Sequence, residues 1–128
     1  MMEYRRYRLA FRAPVRTAHG SWAEREGVLV RLQSESGAVG YGEAAPIPWF
    51  GTESAHEVEA ACRELGGRVD GARLASVPAR LGCLRNALGV ARAECAGVRE
   101  KVAHKTLGVA ALLPAGRAAL ELVAPKAE

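Results

Sequence analysis

Residue types that carry catalysis or bind metals are sparse and scattered in this sequence. The three histidines, His19, His56 and His104, stand far apart. No two of them have the short spacing that presents paired imidazoles to a metal ion, so surface or capping duty is the favoured reading of each. The three cysteines, Cys62, Cys83 and Cys95, form no Cys-x-x-Cys pair, which indicates neither a zinc site nor a disulfide framework. Cys62 and Cys95 fall on apolar helical stripes, where a thiol packs as a small hydrophobe. Reduced, buried thiols and a cytoplasmic setting are expected. Gly37, Gly40 and Gly42 are spaced GxxGxG, the wrong order for a dinucleotide fingerprint. Neither a GxxxxGK[ST] phosphate loop nor a GxSxG nucleophile turn occurs, so spacing alone assigns no catalytic residue and no metal ligand.

What remains is a pair of aromatic-bearing segments. Arg16-Thr17-Ala18-His19-Gly20-Ser21-Trp22 and Pro46-Ile47-Pro48-Trp49-Phe50-Gly51 contain both tryptophans of the chain. The polar run from Thr17 to Arg25, with Gly20 and Ser21 inside it, predicts a loop. In the second segment two prolines lack donors, which rules out a regular helix or a central strand. An apolar loop left in water costs solvation free energy unless something covers it. Two coverings stay open: Trp22, Trp49 and Phe50 pack on the chain's own helices, or they close over a ligand pocket from which rigid aromatics exclude water.

The elements that must hold these segments follow from periodicity. Tyr7, Leu9 and Phe11 alternate with Arg6, Arg8 and Ala10, which predicts a half-buried strand over Tyr4 to Phe11, ended by Pro14. A second strand is expected from Gly27 to Gln33 and a third from Ala38 to Ala44, joined by a turn at Ser34-Glu35-Ser36-Gly37. Three strands in sequence make a small antiparallel meander. Thr52 or Ser54 is expected to cap the first helix, and Ser54 with Glu57 three residues later fits a capping box. The stripe Ala55, Val58, Cys62, Leu65 continues that helix until Gly66-Gly67 stops it. After a linker to Pro78, the residues Leu81, Leu84, Leu88, Ala91 and Cys95 predict a second amphipathic helix, closed by Gly97. The short apolar run Leu107 to Leu113 suits a strand buried on both faces, and Ala115 to Glu128 reads as a helix. The fold class is therefore α+β, with one β–α unit at its end. Residues 1–104 form the main domain and residues 105–128 the start of a second. Leu107 to Leu113 is expected to be hidden, folded back on the chain's own helices or paired with another copy in a homodimer.

Composition narrows the function classes. At 128 residues, 49% hydrophobic and 25% charged, the chain is expected to be globular. A net charge of +4 invites a nucleic-acid reading, but the basic residues are scattered. Their densest cluster, Arg5, Arg6 and Arg8 among Tyr4 and Tyr7, reads as the solvated face of an edge strand. A mildly basic surface also suits a small anionic substrate. Met1 to Arg8 is charged and does not read as a signal peptide, and no apolar run approaches the ~18 residues of a membrane span. Neither nucleic acid nor membrane is expected as a partner.

Several strings resemble a known family. They are Arg16-Thr17-Ala18-His19-Gly20, Glu26-Gly27-Val28-Leu29-Val30-Arg31-Leu32, Gly40-Tyr41-Gly42-Glu43-Ala44-Ala45-Pro46 and Pro48-Trp49-Phe50-Gly51-Thr52-Glu53. Together they are similar to the opening of the o-succinylbenzoate synthases, in the muconate-lactonizing and mandelate racemase branch of the enolase superfamily. The Gly-Tyr-Gly-Glu string is shared across that superfamily, and Pro-Trp-Phe-Gly-Thr-Glu is narrower. The resemblance implies an α+β lid on a (β/α)₇β barrel, with two lid loops that close over the barrel mouth and help select substrate. It places candidate substrate-binding residues at Thr17, His19, Gly20, Ser21 and Trp22, and at Pro48, Trp49, Phe50 and Gly51. It also implies Mg²⁺ held by three carboxylates, with acid–base lysines on barrel strands. Lys101, Lys105 and Lys126 match none of these lysines, which would follow Glu128. The chain alone is then expected to bind no Mg²⁺ and to be inactive. The alternatives are a self-standing binding module with the same fold, or the lid of a sister racemase or cycloisomerase.

Overall fold

The computed structural model describes residues 1–67, 69–97 and position 117. Three strands, β1 (Met2–Thr17), β2 (Gly20–Gln33) and β3 (Val39–Ala44), form an antiparallel sheet in the order β1-β2-β3. A 3₁₀ turn at Pro48–Phe50 leads to helix α1 (Ala55–Leu65), a short helix α2 (Gly71–Ala75) and helix α3 (Gly82–Cys95). The α+β meander followed by helices is as expected. The strand expected at Leu107 to Leu113, the helix after it, the boundary at 104/105 and the pairing of copies lie outside the described residues.

The core forms because one face of the sheet and two helical stripes are apolar at matching periods. Val28, Val30 and Leu32 alternate along β2 and are buried. The register sets Met2 opposite Leu32 and Tyr4 opposite Val30, so Met2 and Tyr4 share that face. Val58, Cys62 and Leu65 of α1, Leu84, Ala87, Leu88 and Ala91 of α3, and Ala44, Val77 and Leu81 complete the cluster. Burying each large aliphatic side chain is worth about 1.5–3 kcal/mol. α1 starts where the sequence predicts: the Ser54 hydroxyl accepts from the Glu57 N–H at 3.2 Å, and the Glu57 carboxylate accepts from the Ser54 N–H at 2.9 Å. The expected linker before Pro78 contains α2, whose first turn is capped by the Asp70 carboxylate accepting from the Arg73 N–H at 2.8 Å.

Two expectations for β1 are corrected. The strand does not end at Pro14, and the segment Thr17 to Arg25 is not a loop. β1 and β2 continue as a two-stranded ribbon to Thr17 and Gly20, and Ala18 and His19 alone make the turn. Register slips between Ala10 and Val15. Pro14 sits in that irregularity on an edge strand, where its missing donor breaks no pairing. Both faces of the ribbon meet water, so polar residues carry no penalty there and the period-two signal fades. The second correction concerns faces. Tyr7, Leu9 and Phe11 point to the side of the sheet opposite the described helices, and Leu9 is 62% exposed. Two arginines of the edge strand are engaged across the sheet: Arg6 with Glu26 at 2.8 Å, and Arg8 with Glu24.

β3 and α3 approach each other closely. A methyl group built on Gly42 overlaps the backbone carbonyl of Ala87, and one on Gly40 overlaps that of Ala91. The Tyr41 N–H donates to the Glu94 carboxylate at 2.6 Å, which satisfies a backbone donor of this second edge strand. Gly89, on the exposed face of α3, has nothing within 4 Å of its missing side chain. Alanine should therefore act with opposite sign at the two sites. Gly42→Ala is expected to destabilise by about 1–3 kcal/mol through overpacking, and Gly89→Ala to stabilise by roughly 0.5–1 kcal/mol through helix propensity. Urea denaturation midpoints of the two variants check this.

Candidate functional site

The two aromatic segments come together at the end of the sheet. The ribbon carries the first. The Thr17 hydroxyl accepts from the His19 N–H at 3.1 Å and donates to the Gly20 carbonyl at 3.0 Å, which ties the turn to itself. Gly20 has φ 111°, a conformation that favours glycine. The second segment is held by its own turn. The Gly51 N–H donates to the Pro48 carbonyl at 2.9 Å, Gly51 has φ 84°, and the Ile47 N–H donates to the Thr52 hydroxyl at 2.6 Å.

Aromatic contacts link the segments. Trp22 and Trp49 meet edge to face, centroids 5.1 Å apart at 88°. Phe11 adds a second edge contact to Trp22 at 5.0 Å, and His19 reaches Phe50 at 5.8 Å. The offset of positive ring edge and negative ring face favours these geometries. Trp22, Trp49 and Phe50 do not join the hydrophobic core. Trp49 is 40% exposed and Phe50 64%. Packing on the described helices is therefore not what covers them.

The Trp22–Trp49 pair separates two concavities. One, of about 200 Å³, is lined by Thr17, His19, Gly20, Ser21, Trp22 and Trp49. The other, about 420 Å³, takes in Arg6, Glu24, Arg25, Pro48 and His56 beside the same two tryptophans. In the second, Glu26 is held below the ordinary carboxylate range by its hydrogen bond from Arg6. The structure thus gathers seven of the nine candidate residues, all but Phe50 and Gly51, around these hollows. Phe50 joins through His19, and Gly51 ends the turn.

Residues that motif reading missed hold this arrangement. Arg25 reaches from β2 to the carbonyls of Ala45 and Pro46, and lies 5.3 Å from the Trp22 ring centroid. Glu53 is buried, 6% exposed, and its carboxylate accepts from the Leu84 N–H at 3.0 Å. It serves α3 as a cap supplied from a distance, because the local N-cap position, Leu81, has no side-chain acceptor. This contact anchors the second segment to the helix layer. Tyr7 donates its hydroxyl to Glu43 on the open face of the sheet. Burial, reinforced by that hydrogen bond, pushes its phenol up to about 12. Among the described residues no group of three or more His, Cys, Asp or Glu is placed to hold a metal ion, and no helix is long and apolar enough to cross a membrane.

A three-stranded antiparallel sheet backed by helices is the architecture of the N-terminal domain of enolase-superfamily enzymes. The structure superposes on a dipeptide epimerase from Methylococcus capsulatus, complexed with Mg and a dipeptide, with TM-score 0.60 and 26% identity, covering 76% of this chain and 32% of that one. On o-succinylbenzoate synthase from Thermosynechococcus elongatus BP-1, complexed with Mg in the active site, the TM-score is 0.81 at 33% identity, covering 94% of this chain and 37% of that one. The curated o-succinylbenzoate synthase of Thermosynechococcus vestitus is 35% identical over 93% of this chain and 36% of its own length. The family described as MenC, N-terminal domain, matches residues 1–94, and the chain belongs to it. It spans about a third of the length of the curated relatives it matches.

Two outcomes follow from this geometry. Glu53→Ala strips α3 of its cap and is expected to cost about 2 kcal/mol in urea denaturation, with Glu53→Gln losing less because its amide oxygen still accepts. Tyr7 has a folded pKa above the ordinary value of 10.0, so its contribution to stability is complete below about pH 10 and is lost as pH rises towards 12. Spectrophotometric titration is expected to lose its phenolate step near pH 12 in Tyr7→Phe.

Proposed function

We propose that this domain is the substrate-selecting cap of an o-succinylbenzoate synthase, whose reaction is the dehydration of a succinyl-hydroxycyclohexadiene carboxylate to o-succinylbenzoate in menaquinone synthesis. The observation that carries the reading is the Trp22–Trp49 wall. Two aromatics from separate segments meet outside the core, partly exposed and flanked by hollows lined with polar groups. Aromatic surface held rigidly in this way binds apolar parts of a ligand and excludes water at little cost in side-chain entropy. Ser21 and His19 lie beside it and offer hydrogen bonds to a carboxylate or carbonyl.

The described residues supply no ligand cluster for Mg²⁺, and no step of the chemistry is assigned to them. In this reading Mg²⁺ and the acid–base lysines belong to a barrel portion, as the greater length of the relatives suggests. The cap contributes orientation and closure, which act on the reaction through positioning.

The 128-residue chain alone is expected to give no o-succinylbenzoate at any Mg²⁺ concentration, and the complete gene product to give it. Turnover by the isolated chain that EDTA abolishes would contradict the cap reading. In the complete product, Trp49→Ala is expected to lower kcat/KM about tenfold, the effect of losing one aromatic contact worth roughly 1–2 kcal/mol, while the melting temperature moves by a few degrees. An unchanged kcat/KM with a large loss of stability would make Trp49 a structural residue.

A further inference from the structure

The β2–β3 ladder stops early. Its last pair is Val28 with Ala44, and Pro46, two residues on, has no N–H to continue it. Arg25 supplies donors where the ladder cannot. Its Nη1 donates to the Pro46 carbonyl at 3.3 Å, and its Nη2 donates to the Ala45 carbonyl. The same guanidinium lies over Trp22, its central carbon 5.3 Å from the ring centroid. Trp22 in turn meets Trp49. One planar cation therefore touches both segments. It lies over the aromatic of the first and ties down the backbone that leads into the second.

We propose that Arg25 is the positioning residue of the cap: by clamping the Ala45 and Pro46 carbonyls while lying over Trp22, it sets the Trp22–Trp49 wall and through it the affinity for substrate. The proposal rests on the capping role given above. Only a guanidinium has the required shape, because it donates in two directions in its plane and presents a flat face perpendicular to them. An ammonium keeps the charge but neither bridges two carbonyls with a rigid fork nor stacks. The site is half-buried, where charge-assisted hydrogen bonds are less weakened by competing water. Trp22 also meets Phe11 edge to face, and the clamp bears on the approach of the Ala45–Trp49 segment.

The chain has two tryptophans, so their edge-to-face pair carries its own exciton couplet in far-ultraviolet circular dichroism, and Trp22→Phe identifies it. Arg25→Met, which keeps most of the stem and removes the fork, is expected to abolish the couplet while the melting temperature moves by only a few degrees. Arg25→Lys is expected not to restore it. A couplet retained in either variant overturns the proposal, and if Arg25→Met does not fold, Arg25→Lys decides by the same reading. In the complete gene product, both substitutions are expected to raise KM about tenfold, as for one lost charge-assisted contact, with kcat nearly unchanged. A kcat that falls as far as kcat/KM overturns the positioning role. A complete native product without synthase activity sinks the functional reading instead, and the couplet still decides whether Arg25 sets the wall.

Discussion

The distance between β3 and α3 governs the rest of this structure. With Gly40 and Gly42 facing Ala87 and Ala91, strand and helix backbones meet with no side chain between them on the strand side. That contact draws the carboxyl end of β3 close to the amino end of α3, which is where Glu53 must sit to accept from the Leu84 N–H. A larger residue at either glycine would push the helix outward. The carboxylate would then lose its partner inside an apolar layer, a costly state for a buried charge. The Gly-Tyr-Gly-Glu string thus has a packing reason. It serves the site indirectly, because the segment between β3 and α1 is stretched between these two anchored ends.

Helix layer and aromatic segments are built from different materials. The helix layer is aliphatic and closed. Val58, Cys62 and Leu84 have no exposure, and burial pushes the Cys62 thiol up to about 11, so it stays protonated as a small apolar group. The segments are aromatic and open, joined by edge contacts and one cation rather than by interdigitated side chains. Such contacts are few and individually modest. They hold a surface in shape without making it part of the cooperative core, a division that suits a binding surface borne by a stable scaffold.

Much of this was legible in the residues and the reasons can be named. Ser54 with Glu57 marked the start of α1, and the stripes through Cys62 and Leu88 marked its core face and that of α3, because helical burial leaves a clear period. Trp22, Trp49 and their neighbours were legible as a site because apolar residues beside prolines and glycines conflict with a solvated loop. The ribbon was not legible, since a strand pair wet on both faces carries no alternation to read. Nor was the outward face of Tyr7, Leu9 and Phe11, whose pattern is that of a buried face. Arg25 and Glu53 were hidden for another reason. Each acts on backbone groups distant in sequence, Arg25 on Ala45 and Pro46 and Glu53 on Leu84, and no local spacing records such a pairing.

The ribbon beyond the register slip also has a consequence for how this family can vary in reach. Its tip at Ala18 and His19 is surrounded by no core, so lengthening it disturbs little of the scaffold. Yet its geometry makes the change stepwise. One residue added to each strand between Trp22 and the tip advances His19 by roughly 3.3 Å and turns every outer side chain to the opposite face, whereas two restore the faces at roughly 6.6 Å. Either step carries His19 away from Phe50, now 5.8 Å off, while Trp22 keeps its place against Trp49. Relatives with ribbons of different length would therefore fall into discrete classes of reach, each needing its own partner for the tip residue, around a tryptophan wall that stays put.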